Sequence, residues 1–238
     1  MTATAGLIAK EKKMTYKATK HVQKVLGLGL CIGIFLMYAI SAQADMLNIG
    51  GIGNMPQYGG HYVGPIGASL GSNDISGGIT CLDFYTNTGV PNQFSVNVGT
   101  LSPTSVSSTV KFMNDPNKVD GALLKYQEAA WLNGQMADAN NQGQIGAISF
   151  AIWRLFSPTA SSGANPSSEN SWMTAAQNAM VNPQRYDFSS VRIYTAIPQG
   201  SNQEFMSGKA SPVPIPGALL LFGPGLAGLV LLRRRFTN

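Results

Sequence analysis

Charged side chains make up only 11% of this 238-residue chain, and cysteine and histidine occur twice each. Each scarcity excludes something. Cys31 falls inside an N-terminal apolar run, so Cys81 is the single cysteine of the remainder and no internal disulfide can form there. His61 is the single histidine after residue 44. There is no CxxC, no HExxH and no second histidine nearby, so no metal set exists by standard spacing. A Gly-rich phosphate loop is also missing, as is an internal repeat that would indicate a solenoid or propeller. The sequence assigns no catalytic, cofactor-binding or metal-ligating residues.

What charge there is lies mostly at the ends. The formal net charge of +5 and pI near 9.2 first suggest a nucleic-acid binder. Residues 1–44 hold six lysines against one glutamate, and the last stretch holds Arg233, Arg234 and Arg235. Residues 45–210 carry seven basic and ten acidic groups, a net of −3. No basic run survives in that body, which argues against nucleic acid as a partner.

The N-terminus has the order of an export signal. Lys10, Lys12, Lys13, Lys17, Lys20 and Lys24 form a basic region, and Val25 to Ile40 is an apolar run. Ala42-Gln43-Ala44 is an A-x-A site for signal peptidase, which predicts a mature chain starting at Asp45. Met14 would serve as a start as well as Met1. The alternative is an uncleaved anchor.

The C-terminus reads as a Pro-rich elbow, an apolar segment and a basic stop. Gly217 to Leu232 is uncharged over sixteen residues, slightly short of a hydrocarbon core of about 30 Å at 1.5 Å per residue. It can span with local thinning and snorkelling arginines. Gly223-Pro224-Gly225 interrupts it. The arginines place that end in the cytoplasm and the body across the membrane. The alternative is a buried helix of a soluble domain.

This tail resembles the PEP-CTERM sorting signals of Gram-negative bacteria, in the variant beginning Val-Pro-Leu-Pro. The match is Val213-Pro214-Ile215-Pro216-Gly217-Ala218, then the apolar helix and the arginines. It departs at Ile215, where Leu is usual, and at Pro224, where Ser is more common. The resemblance implies recognition by an exosortase-type membrane protease, removal of the tail and delivery to the outer surface. That family is associated with exopolysaccharide and biofilm matrix.

The body reads as one α+β domain: a small antiparallel sheet with about three helices. The expected division is a signal peptide over 1–44, the exported domain over 45–208, a Pro-rich linker with the sorting motif over 209–216, and a transmembrane sorting helix with basic tail over 217–238. Gly-rich residues 45–78 predict loops or short edge strands. Ile79 to Tyr85 and Phe94 to Val98 read as strands, joined as a hairpin through Asn87-Thr-Gly89. A helix is expected from about Asp120, its N-cap, with Leu123, Leu124, Gln127, Ala130 and Trp131 on one face. A second should run from Gln142 to Phe156 with Ile145, Ile148, Ile152 and Phe156 on one side. Pro158 and the polar stretch 159–170 should end it, and Trp172, Ala176 and Met180 mark a third. Phe188 to Ala196 predicts a strand with Val191, Ile193 and Thr195 on one face. Lys209 to Pro216 predicts an extended linker.

Cys81 is the position with the most chemistry. With His61 it would make a nucleophile and base; more simply it is a small buried strand residue. Asp83 would share its face or cap a turn. Cys81-Leu-Asp-Phe84, with Ala151-Ile152-Trp153 far downstream, is similar to the thioester domains of bacterial surface adhesins. There a cysteine is joined to a glutamine two residues before Ala-Ile-Trp, storing an electrophile for surface amines. Here that position is Ser149, and Gln144 lies more than a helical turn earlier. The resemblance implies a related scaffold without that bond. The plain reading of Ala-Ile-Trp is a packed helix face, with Trp131, Trp153 and Trp172 sharing a core.

Together these point to a non-enzymatic, surface-sorted protein of the envelope or polysaccharide matrix, with no cofactor. Tyr58, Tyr62, Tyr85 and Tyr186 are candidate polysaccharide contacts. The alternatives are an adhesin of thioester-type ancestry and an enzyme using Cys81 and His61.

Overall fold

The computed structural model describes residues 44–113, 121–139, 141–160 and 163–214. The chain divides into Met1–Gln43 and Ala44–Asn238. Ala42, the segment Ile215 to Gly217, the apolar tail, the terminal arginines and the N-cap assigned to Asp120 lie outside the described residues. Among the described residues no helix is long and apolar enough to cross a membrane.

The body is α+β, as expected, with three α-helices and an antiparallel sheet among the described residues. The strands are β1 (Asp45–Ile49), β2 (Gln57–Tyr58), β3 (His61–Tyr62), β4 (Ala68–Leu70), β5 (Asn73–Asp74), β6 (Thr80–Cys81), β7 (Asn92–Thr100), β8 (Tyr186–Asp187), β9 (Arg192–Ala196), β10 (Phe205–Ser207) and β11 (Ser211–Pro212). The helices are α1 (Gly121–Ala137), α2 (Gln142–Phe156) and α3 (Pro166–Ala179). Seven strands form one sheet in the order β5-β4-β1-β7-β9-β10-β6, and β2–β3 and β8–β11 form separate pairs.

Alternation along the strands feeds two apolar clusters, because successive side chains leave opposite faces. In β9, Ile193 joins the first cluster, while Tyr194 and Ala196 join the second. In β10, Met206 and Phe205 divide in the same way. Helix α2 stands between them: Ile148, Ile152 and Phe156 enter the first cluster, Phe150 and Trp153 the second. It is buried almost all round, which suits an apolar helix at the centre of a domain. Asn141 caps it by accepting from the Gln144 N–H at 2.8 Å.

Several expectations need correction. Strand β1 is neither loop nor edge: it pairs with both β4 and β7, its Leu47 and Ile49 buried. Of the expected 79–85 strand only Thr80–Cys81 forms a strand, with Ile79 in an isolated bridge to Ile66, because Asp83 turns the chain there. Strands β6 and β7 form no hairpin. β6 pairs with β10, and β7 lies between β1 and β9. The buried face of α1 centres on Tyr126, Ala129, Ala130 and Leu132, leaving Leu123, Leu124 and Trp131 half-buried. Helix α3 begins inside the polar stretch, where Asn165 accepts from the Ser168 N–H at 3.1 Å and Pro166 opens the first turn. The strand expected from Phe188 starts at Arg192. The tryptophans do not share one core: Trp131 and Trp172 sit 6.4 Å apart against the first cluster, and Trp153 belongs to the second. The linker is partly docked, since β11 pairs with Tyr186 and Asp187, and the Val213 N–H donates to Arg185 O at 2.8 Å.

Candidate functional site

Cross-strand register carries one row of side chains to a cavity. Val98 faces Tyr194, Tyr194 faces Phe205, and Phe205 faces Cys81 at the end of the sheet. The cavity, of about 240 Å³, is lined by Cys81, Ser149, Trp153, His61, Phe84 and Gln203 among others. Ser149 and Trp153 reach it together because they are four residues apart on α2.

Hydrogen bonds hold several polar groups of the cavity wall in place. The Trp153 indole N–H donates to the Cys81 carbonyl at 3.0 Å, tying the central helix to β6. Ser149 Oγ accepts from the Gly64 N–H at 3.1 Å. Gly64 has φ +91°, and a Cβ there would sit 3.0 Å from Ile145, so the approach depends on glycine. His61, on β3, packs its ring on Phe84, Phe150 and Trp153 at 5.2, 5.7 and 6.0 Å between centroids.

The carbonyl of Asp83 gathers two further groups. Cys81 Sγ donates to it at 3.1 Å and Gln203 Nε2 at 2.7 Å, so thiol and carboxamide meet at one oxygen. Burial pushes the Cys81 thiol up to about 12, with smaller opposing effects from that hydrogen bond and from Lys111. A thiol so placed is protonated at neutral pH and is a poor nucleophile.

Beneath lies a buried polar network. Asp83 Oδ1 accepts from the N–H groups of Tyr85 and Thr86 at 3.2 and 3.3 Å, the turn-capping alternative expected for this residue. Its Oδ2 forms an ion pair with Lys111 Nζ. Glu204, 1% exposed, accepts from the Lys111 N–H and Thr195 Oγ1, each at 2.6 Å, and from the Tyr126 hydroxyl. Burial raises the Glu204 carboxyl and also raises the Tyr126 phenol, the latter reinforced by Glu204 itself.

No family model, curated protein or solved structure matches this chain.

Of the residues singled out from sequence, Cys81, His61 and Ser149 come together in this cavity, whereas Gln144 does not line it. Tyr62 and Tyr85 are exposed, at 47% and 61%, and Tyr62 lines the cavity. Tyr58 and Tyr186 are half-buried and pack inward, against the second and first clusters respectively. Asp45 opens β1, and Ala44 immediately precedes it. Val213 and Pro214 follow β11.

Sequence reasoning missed Gln203, Lys111 and Glu204. The available signal was contrast: Lys111 lies between Val110 and Phe112, and Glu204 precedes Phe205-Met206, in a body poor in charge. It also passed over Gly67-Ala-Ser-Leu-Gly71, which has G-x-S-x-G spacing. Ser69 lies within β4, paired on both sides by β1 and β5. That is not the strand-to-helix elbow such a nucleophile needs.

Proposed function

We propose that this is an exported, surface-sorted, non-enzymatic protein of a Gram-negative envelope or extracellular polysaccharide matrix. Signal peptidase releases it after Ala44, and an exosortase-type protease removes the tail near the Val213 to Gly217 motif. The membrane holds it through the C-terminal helix before that step. The order of elbow, apolar segment and arginines carries the sorting part of this reading.

The observation that supports a binding role is the cavity mouth. Tyr62 is exposed beside the packed, mutually tilted rings of His61 and Phe84, with Asn87, Thr88 and Gln203 also lining the cavity. Apolar ring faces beside amides and hydroxyls suit a sugar, which presents C–H faces and hydroxyls together. The raised Cys81 thiol and the packing of the His61 ring among aromatic neighbours favour binding over turnover. Pull-down of the purified chain with the host's own extracellular polysaccharide tests this: retention lost in Tyr62→Ala supports it, and no retention of the wild-type chain sinks it.

A specific contact favours a second reading, an adhesin on a thioester-type scaffold. Cys81 and Gln203 share one carbonyl, so Gln203 would supply the carboxamide that Ser149 cannot. Attack of sulfur on the Gln203 carbonyl carbon would release ammonia and leave a thioester. A mass deficit of one ammonia, and methylamine incorporation at Gln203 that disappears in Cys81→Ala, would select this reading.

A further inference from the structure

Below the cavity the structure holds an amine against a carboxyl with unusual constraint. Asp83 and Lys111 side chains are 4% and 18% exposed in their ion pair. Asp83 is fixed by two backbone donors on its other oxygen. Lys111 is fixed at both ends. Its N–H donates to buried Glu204 at 2.6 Å, and its Nζ donates to Thr86 Oγ1 at 2.7 Å and lies 5.5 Å from the Phe112 ring centroid. We propose that Lys111 Nζ and Asp83 Cγ join in an intramolecular amide, so that the domain carries a covalent cross-link of its own making.

The chemistry needs no partner. Within the ion pair one proton passes from the ammonium to the carboxylate, leaving a free amine beside a carboxylic acid. The nitrogen lone pair attacks Cγ. The C–OH bond then breaks, the departing oxygen takes a proton from the nitrogen, and one water leaves. An N–C bond replaces a C–O bond, nothing is oxidised or reduced, and the chain's net charge is unchanged.

Fixed geometry favours this step here over the same step between free groups in water. Two groups held in one orientation react with effective molarities on the order of 10⁵–10⁸ M. The product also removes a reason for the pair to be costly: a buried ion pair rarely outperforms an apolar substitute, whereas an amide keeps no charge. The link would close the chain between residues twenty-eight apart and tie the turn after edge strand β6 to the segment that follows β7. In a body with one cysteine it does what a disulfide would do elsewhere. Glu204 is a positioning residue, acting through the Lys111 main chain.

Intact mass and peptide mapping of the purified full chain decide the matter. The expected result is a deficit of one water, with a branched peptide joining Asp83 to Lys111. Lys111→Arg and Asp83→Ala should restore the full mass. Asp83→Asn should still close, by loss of ammonia, giving the same linked mass as wild type. Glu204→Gln, which keeps an acceptor for the Lys111 N–H, should close nearly as far as wild type, and Glu204→Ala at least tenfold more slowly. A folded wild-type chain of full mass, or a water deficit mapped elsewhere, overturns the proposal and leaves an ion pair. An ammonia deficit in wild type mapped to Cys81 and Gln203 belongs to the thioester reading, and without a further water loss it also overturns the amide.

Discussion

The indole N–H of Trp153 donates to the main-chain carbonyl of Cys81 at 3.0 Å, and both residues are buried. This bond joins the central helix to the sheet's edge strand at the cavity. Trp153→Phe keeps a ring but orphans the carbonyl. The expected cost is about 1–3 kcal/mol, the price of an unsatisfied buried acceptor. Urea unfolding should show a lower midpoint at unchanged slope.

Cys81 should be silent in the native protein. Its thiol, pushed up to about 12 by burial, should resist iodoacetamide at mildly alkaline pH and react once urea unfolds the chain. The same shift sets a pH dependence. Between the thiol's ordinary value of 9.0 and about 12 the unfolded thiol loses its proton while the folded one keeps it. The native state then binds more protons, so stability falls as pH rises through that window. Cys81→Ala should fall less steeply over the same range, read by unfolding at stepped pH.

Gly146 sits where β2 crosses α2. A Cβ added there would overlap the Tyr58 ring, which itself packs on Phe150 at 5.6 Å. Alanine is otherwise the better helix former, so propensity predicts a gain. Overpacking should outweigh it, and Gly146→Ala should lose about 1–3 kcal/mol of stability. A gain in thermal midpoint would show that the ring can move aside.

At the cavity mouth, Tyr62→Ala should separate binding from folding. Its side chain is nearly half exposed, so stability should change by no more than about 0.5 kcal/mol. Polysaccharide retention should fall about tenfold, corresponding to the loss of roughly 1.4 kcal/mol of ring contact. A parallel loss of both would make Tyr62 a packing residue.

Local pattern was legible where an element answers to its own period. Helix α2 runs from Gln142 to Phe156 as the spacing of its isoleucines requires, and the alternation of Phe94 and Val96 located β7. The α+β class followed from the change of period near residue 120. The two-ended segregation of charge, the A-x-A site and the Val213 to Gly217 elbow are linear features that no fold alters. Pairing was not legible. Ile79 to Tyr85 and Phe94 to Val98 look like neighbours along the chain, yet β9 and β10 lie between β6 and β7. Periodicity states which face of a segment is apolar, and many partners satisfy that demand equally. Only simultaneous burial of all such faces chose β10 for β6. That choice brought Gln203 to the carbonyl below Cys81, and packing set Lys111 against Asp83. The sequence by itself determined the two ends, the class and the central helix. The tertiary structure alone decided which amine met which carboxyl, because contacts between distant residues depend on how the whole core closes.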